Sequence, residues 1–309
     1  MTVNIVLSGN FEWTDDDLNL LADSGRNKIF QLHNEEAALQ IPPADVDAVI
    51  CNWFFKYHPL EEFTRLSFVQ LLSAGFNGID PIAVQNMGIA LFCARDVYSI
   101  PISEFVVSRL LSYYKSETYF VRKQKRHEWA KLRTIGELYG KKVLIVGTGS
   151  IGNEVAKRIR AFTDEVYGCN RTIRVFPSFK EIFPLTKLQT VIFDFDIIIL
   201  TIALTESTKH LLNSEMFSVM KKTAILVNVS RGEIVDERAL IDALVSGSIA
   251  GAILDVFEEE PLQKESPLWD MDNVLISPHN SFASDNNYDR LRSVIFRNFN
   301  AWESKYGQK

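Results

Sequence analysis

The sequence predicts an α/β protein of two domains, each built on a parallel sheet. Short apolar runs alternate with polar or helix-compatible pieces, and the rhythm restarts more strongly from Lys142. There, a β-branched run opens into a glycine-rich turn followed by a helical pattern. At 309 residues, 47% hydrophobic and 23% charged, the chain can form the core of two medium domains and does not read as disordered. A formal charge of -6 gives no reason to expect a nucleic-acid partner. The longest apolar stretch, around Ile197–Leu204, is too short to span a bilayer, so no membrane partner is expected. The start reads directly as a strand and lacks the flanks of a secretory signal. Cys51, Cys93 and Cys169 sit in or beside apolar runs and read as reduced thiols of a cytoplasmic protein. No metal-ligand set is expected.

In the first domain the runs Asn4–Leu7, Lys28–Leu32, Ala48–Cys51, Phe68–Leu72 and Ile89–Phe92 read as five strands. The pieces Thr14–Ala22, Leu60–Arg65 and Ile82–Gln85 between them are helix-compatible. Ser103–Tyr119 follows Pro101 and reads as one helix beginning near Glu104, with Ser103 as its N-cap. The basic stretch Val121–Trp129 reads as a solvated arm or an interface rim. Further strands are expected at 143–146, 191–202, 224–229, 252–256 and 273–277, with helices at Asn213–Met220 and Asp236–Ser246. In the final candidate helix, Asp285–Trp302, the residues Tyr288, Leu291, Ile295, Phe299 and Trp302 recur at steps of three and four.

The hexapeptide GTGSIG, Gly147–Gly152, follows the strand VLIV and precedes Ile151, Val155 and Ile159 on one helical face. Gly147 permits the tight turn, Gly149 lets a pyrophosphate approach the backbone, and Gly152 permits close helix–strand packing. Amides at the helix start, at Ser150 and Ile151, favour phosphate charge. The next strand, EVYGCNRT, ends where an adenosine ribose is expected, and offers Asn170, Arg171, Thr172 and Arg174 in place of a carboxylate. Neutral Asn170 removes repulsion and two guanidinium groups supply donors for a 2′-phosphate. NADP(H) is therefore the preferred cofactor and NAD(H) the second option; arginines pointing only into solvent are the bland alternative.

Three segments carry candidate chemistry: NVSRGEIVD at 228–236, AILDVFEEEPL at 252–262 and SPHN at 277–280. A fixed Arg231 can bind the carboxylate of a 2-oxo acid and polarise its carbonyl. His279 can give a proton to that oxygen and remove it in the reverse direction. Glu260 against the imidazole fixes its tautomer and favours the protonated ring. Asp255, at a strand end, is a supporting candidate. Each residue alone has a bland reading: a structural arginine, a solvated acidic turn, a loop histidine. Their common placement after successive strands of one domain favours a shared site.

The segments GTGSIG, NVSRGEIVDERAL, SGSIAGAILDVFEEEPL and NVLISPHNS, with LLSAGFNGID at 71–80 and YSIPISE at 98–104, resemble the D-isomer-specific 2-hydroxyacid dehydrogenase family over nearly the whole chain. The resemblance implies a flavodoxin-like substrate-binding domain at residues 1–100, completed by 284–309, and an inserted Rossmann-like NAD(P)-binding domain at 101–283. It assigns Arg231 to substrate binding and carbonyl polarisation, His279 to acid–base transfer, and Glu260 to its partner. It also implies a homodimer with a contact from 101–135, and substrate-carboxylate binding by amides around Ala74 and Gly75. Thr201, Ala203, Val229, Arg231, Asp255 and His279 complete the expected cofactor contacts. Relatives commonly carry an acid at Asn170, proline at Ala203, and Ile-Ala after the histidine where this chain has Asn280 and Ser281. The implied reaction is reversible hydride transfer between NADP(H) and a small 2-oxo/2-hydroxy acid pair, hydroxypyruvate or glyoxylate among them. The aromatic stretch 52–58 limits cleft size or enters the core. An NAD(P)-responsive binding or corepressor-like protein is the competing class.

Overall fold

Alternation along the first strands decides how the first unit is built. In the computed structural model, which describes residues 2–306 apart from Asn10 and Asn77, with only the backbone of Ser24 and Tyr306, the chain divides into two units. Unit 1 is Met1–Tyr98 with Ser284–Lys309, and unit 2 is Ser99–Ala283. Residues 307–309 of the expected completion lie outside the described residues.

Unit 1 holds β1 (Asn4–Leu7), α1 (Asp15–Ala22), β2 (Lys28–Gln31), β3 (Ala48–Cys51), β4 (Phe68–Leu71), α2 (Pro81–Asn86) and β5 (Ala90–Phe92). The sheet order β2-β1-β3-β4-β5 is wholly parallel and matches the flavodoxin-like order. Ile5, Leu7, Ala48, Ile50 and Phe68 pack on one face; Val6, Val49, Cys51, Val69 and Leu71 pack on the other. The expected helix at Leu60–Arg65 is only a 3₁₀ turn at Leu60–Glu62, because Phe63 and Leu66 turn into the core. Thr14 and Asp17 close α1 with a reciprocal capping box.

Unit 2 begins with α3 (Ser99–Tyr114) and α4 (Glu117–Lys125). The expected single helix from Glu104 therefore starts five residues earlier and is broken at Ser116, whose φ is 53°. Pro101 is tolerated in the first turn, where an amide has no intrahelical acceptor, and Ser103 donates to Ile100 C=O instead of capping. There follow β6 (Val143–Val146), α5 (Ser150–Ile159), β7 (Val166–Asn170), β8 (Glu181–Pro184), α6 (Leu188–Val191) and β9 (Ile197–Leu200). The unit closes with α7 (Ser214–Val219), β10 (Ile225–Asn228), α8 (Glu237–Val245), β11 (Gly251–Leu254) and β12 (Val274–Ile276). The apolar run 191–202 is thus a strand only in its second half. Asp196 ends the preceding turn by accepting Lys142 N–H at 2.9 Å and the Lys221 ammonium at 2.9 Å.

The seven strands are parallel in the order β12-β11-β10-β9-β6-β7-β8. The chain runs outward from β6 through β8, then returns to β9 on the other side of β6. This reversal makes a topological switch point beside the end of β6. The final helix, α9 (Asn287–Tyr306), returns to unit 1 and packs Leu291, Ile295, Phe299 and Trp302 against the Ile5–Phe68 face. No helix among the described residues is long and apolar enough to cross a membrane.

Candidate active site

The carboxyl ends of the unit 2 strands lie along one sheet edge, because every strand is parallel. The glycine loop follows β6 at the switch point. Gly147 has φ +104°, and a Cβ there would lie 2.5 Å from Ile202 N, so no side chain fits. A Cβ on Gly152 would meet Gly147 O at 2.0 Å. A Cβ on Gly149 meets nothing within 4 Å, which leaves open space at the start of α5. The α5 ladder begins with Asn153 N–H to Gly149 C=O at 2.9 Å, so the amides of Ser150, Ile151 and Gly152 precede it. A diphosphate fits this cradle through backbone donors and the helix dipole. Thr201 shapes the loop from within, its hydroxyl donating to Gly147 C=O at 2.6 Å.

Asn170 ends β7 with its side chain used inside the protein. Its amide donates to Thr148 Oγ1 at 2.9 Å, and its carbonyl accepts Arg171 N–H at 2.9 Å. Arg171, Thr172 and Arg174 follow on an exposed segment, and neither arginine forms an ion pair among the described residues. The far end of that segment is fastened to α5: Arg160 donates to Pro177 C=O at 2.6 Å, and Ser178 Oγ to Asn153 Oδ1 at 2.5 Å. Two free guanidinium groups on a segment held at both ends fit an anionic 2′-phosphate. Val229 is buried, and Ala203 is exposed with its C=O taking the Thr208 hydroxyl at 2.9 Å.

Arg231 follows β10, Glu260 follows β11 and His279 follows β12. Adjacent strands lie about 4.8 Å apart, so three successive strands present these groups within one short stretch of edge. His279 Nδ1 lies 2.7 Å from Glu260 Oε2, and the other Glu260 oxygen accepts Phe257 N–H at 3.1 Å. The carboxylate is thereby fixed from two sides. With Nδ1 facing Glu260, Nε2 is the ring nitrogen on the other side of the imidazole. Arg231 donates to Ser230 C=O at 2.6 Å, and its own C=O takes the Asn228 amide at 3.0 Å. Gly232 lets this turn lie directly on the next loop: a Cβ would sit 1.8 Å from the carbonyl carbon of Phe257.

Asp255 is 1% exposed, and its carboxylate faces the 277–281 loop. It accepts Ser277 Oγ at 2.5 Å, Asn280 N–H at 2.9 Å and Ser281 N–H at 3.0 Å. Burial pushes the Cys169 thiol up to about 12. All three cysteines are free. Ala74 and Gly75 lie in unit 1 after β4, where Gly75 C=O accepts Ser73 Oγ at 2.8 Å.

Sequence reasoning missed Thr148, which secures Asn170, and also His210, whose ring lies 2.7 Å from Glu258. The middle position of a G-x-G turn hints at the first; no local signal pointed to the second. No metal-holding group of His, Cys, Asp and Glu occurs among the described residues.

Residues 107–281 match the family model described as D-isomer specific 2-hydroxyacid dehydrogenase, NAD binding domain. The chain is 35% identical over 270 residues to the glyoxylate reductase of Pyrococcus furiosus, covering 84% of this chain and 80% of that one. It is 32% identical over 274 residues to the D-3-phosphoglycerate dehydrogenase of Methanocaldococcus jannaschii, covering 88% of this chain but only 52% of that longer protein. Among solved structures, the NADPH-dependent glyoxylate/hydroxypyruvate reductase of Sinorhizobium meliloti, in complex with NADP and malonate, superimposes with a TM-score of 0.80. It shares 26% identity over 98% of this chain and 94% of that one. The chain therefore belongs to the D-isomer-specific 2-hydroxyacid dehydrogenase family, NAD(P)-dependent oxidoreductases of 2-oxo and 2-hydroxy acids.

Proposed function

We propose that the protein reduces a compact 2-oxo acid, glyoxylate or hydroxypyruvate, with NADPH. The observation that carries this reading is the Glu260–His279 pair on the same sheet edge as Arg231 and the glycine loop. Bound NADPH supplies the hydride. Arg231 holds the substrate carboxylate and stabilises charge developing on the carbonyl oxygen. His279 donates the Nε2 proton to that oxygen, while Glu260 keeps the ring oriented and balances its positive charge. The exposed arginines after β7 support NADPH over NADH, as does the NADP bound by the Sinorhizobium relative.

A homodimer is part of the same proposal. Its support is the arm after α4, where Trp129 is 97% exposed, together with exposed Phe120 and Val121 on α4 itself. Three thiols without a disulfide support a reducing, cytoplasmic setting. The deciding experiment follows oxidation of NADPH and NADH against glyoxylate, hydroxypyruvate and larger 2-oxo acids. NADPH oxidation with the compact acids is expected. Failure of every 2-oxo acid to oxidise either cofactor overturns the reading in favour of a binding protein.

A further inference from the structure

The acidic run Glu258–Glu260 carries two histidine contacts, not one. Glu260 holds His279, and Glu258 Oε1 lies 2.7 Å from His210 Nε2. His210 sits in the left-handed region, at φ 49°, in the loop after β9. Its N–H donates to Glu233 C=O at 2.7 Å. Two residues on, Leu212 N–H donates to Ile234 C=O at 3.1 Å, and Asp236 N–H returns to Leu212 C=O at 2.9 Å. The loop after β9 is thus laced onto the turn that begins with Arg231.

From there the connection continues to the acidic run. Glu258 N–H donates to Glu237 Oε2 at 3.2 Å, and Gly232 allows the Phe257–Glu258 peptide to rest on the Arg231 turn. Phe257 N–H in turn holds Glu260. The loops after β9, β10 and β11 therefore meet at Glu258, two residues before the carboxylate that orients His279. Burial, with Coulombic repulsion from Glu258 and Glu259, raises the Glu237 carboxyl beside this segment.

The His210–Glu258 pair has side chains 45% and 34% exposed. Such partly exposed pairs add little to stability, so its value lies elsewhere than in holding the fold. We infer that His210 is a positioning residue for the reduction: through Glu258 it sets the register of the 257–260 segment, and hence of Glu260 against His279. The inference rests on the proposed role of His279 as the acid.

The test compares full-length wild type with His210→Ala, His210→Gln, Glu258→Gln and His279→Ala, using NADPH with glyoxylate or hydroxypyruvate. In His210→Ala the single-turnover rate should fall about tenfold, as expected for a misplaced catalytic group. KM for the acid and Kd for NADPH should stay within about twofold, which separates a lost transition-state contact from lost binding. His210→Gln, whose amide can still donate to Glu258, should recover most of the rate. A wild-type rate in folded His210→Ala overturns the inference, as does a loss confined to NADPH affinity. If His210→Ala does not fold, Glu258→Gln decides by the same loss of single-turnover rate with KM and NADPH Kd kept. A His279→Ala enzyme near wild type defeats the proton-transfer reading and this inference with it. A dead His279→Ala beside an unaffected His210→Ala defeats this inference alone.

Discussion

Asp255 grips His279 by the backbone: its C=O accepts the His279 N–H at 2.7 Å while its carboxylate takes the amides of the next two residues. The histidine itself sits at φ +50°, a region that side-chain-bearing residues seldom occupy. Three hydrogen bonds to one buried carboxylate maintain that conformation. Asp255→Ala should therefore slow single-turnover reduction about 100-fold, the scale of a 1 Å misplacement. Pre-steady-state NADPH oxidation checks this, with an unaltered rate counting against the role.

Removal of the imidazole should cost more. His279→Ala is expected to lose roughly 10²–10⁴-fold in the chemical step, the range for general acid catalysis. NADPH binding should be nearly preserved, because the glycine loop does not depend on this ring. Rates are to be read in a single turnover, where product release does not mask the loss.

The cofactor phosphate gives a different signature. Arg171→Ala should weaken NADPH binding about tenfold or more, the worth of a charge-assisted hydrogen bond. Fluorescence titration with both cofactors decides it: equal losses for NADPH and NADH would show that Arg171 does not read the phosphate.

At Gly152 the obstacle is backbone, since an added Cβ meets Gly147 O at 2.0 Å. Relief requires the turn to move away from the helix, at about 1–3 kcal/mol for an overpacked contact. Gly152→Ala should bind both cofactors at least about tenfold more weakly. Calorimetric titration measures this, and wild-type affinity would show that the turn does not hold the diphosphate.

Unit 1 offers a pH test of stability. Asp17 is buried, which raises its carboxyl, but hydrogen bonds from Tyr288, Thr14 and Arg292 outweigh burial and hold it below the usual carboxylate range. The folded value being the lower one, its stabilisation is present above the unfolded value and disappears as pH falls through the folded value. Asp17→Asn should cost on the order of 2 kcal/mol at pH 7, from donors left unpaired. The difference from wild type should shrink towards about pH 3. Urea denaturation at both pH values measures it; a difference constant with pH would rule out the ionised carboxylate as the cause.

Much of this was legible because periodicity and glycine chemistry are local. GTGSIG needs only its own strand and helix to declare itself, and the spacing of Leu291, Ile295 and Phe299 gave the last helix. The reading failed where tertiary partners decide. The run 191–202 looks like one long strand, yet Asp196 is drawn to Lys142 N–H and Lys221, which begins the strand late. Edge strand β8 ends in Pro184 and carries too short an apolar signal to stand out. Ser103 looked like a cap, but its hydroxyl serves the turn before it.

The candidate site divided along the same line. Arg231, Glu260 and His279 each follow an apolar strand, so parallel order alone brings them to one edge. The left-handed backbone of His210 and His279, and the inward turn of Asn170, depend on partners 22 or more residues away.

The return of α9 to the first sheet has a bearing on synthesis. Ile5, Leu7 and Phe68 share their cluster with Leu291, Ile295 and Phe299, so that face lacks part of its cover until all of unit 2 has been made. Unit 2, by contrast, is continuous in sequence. On the ribosome the later domain is thus the first to possess every residue of its own core, and the earlier one must wait with that apolar sheet face only partly covered, by α1 and its neighbours.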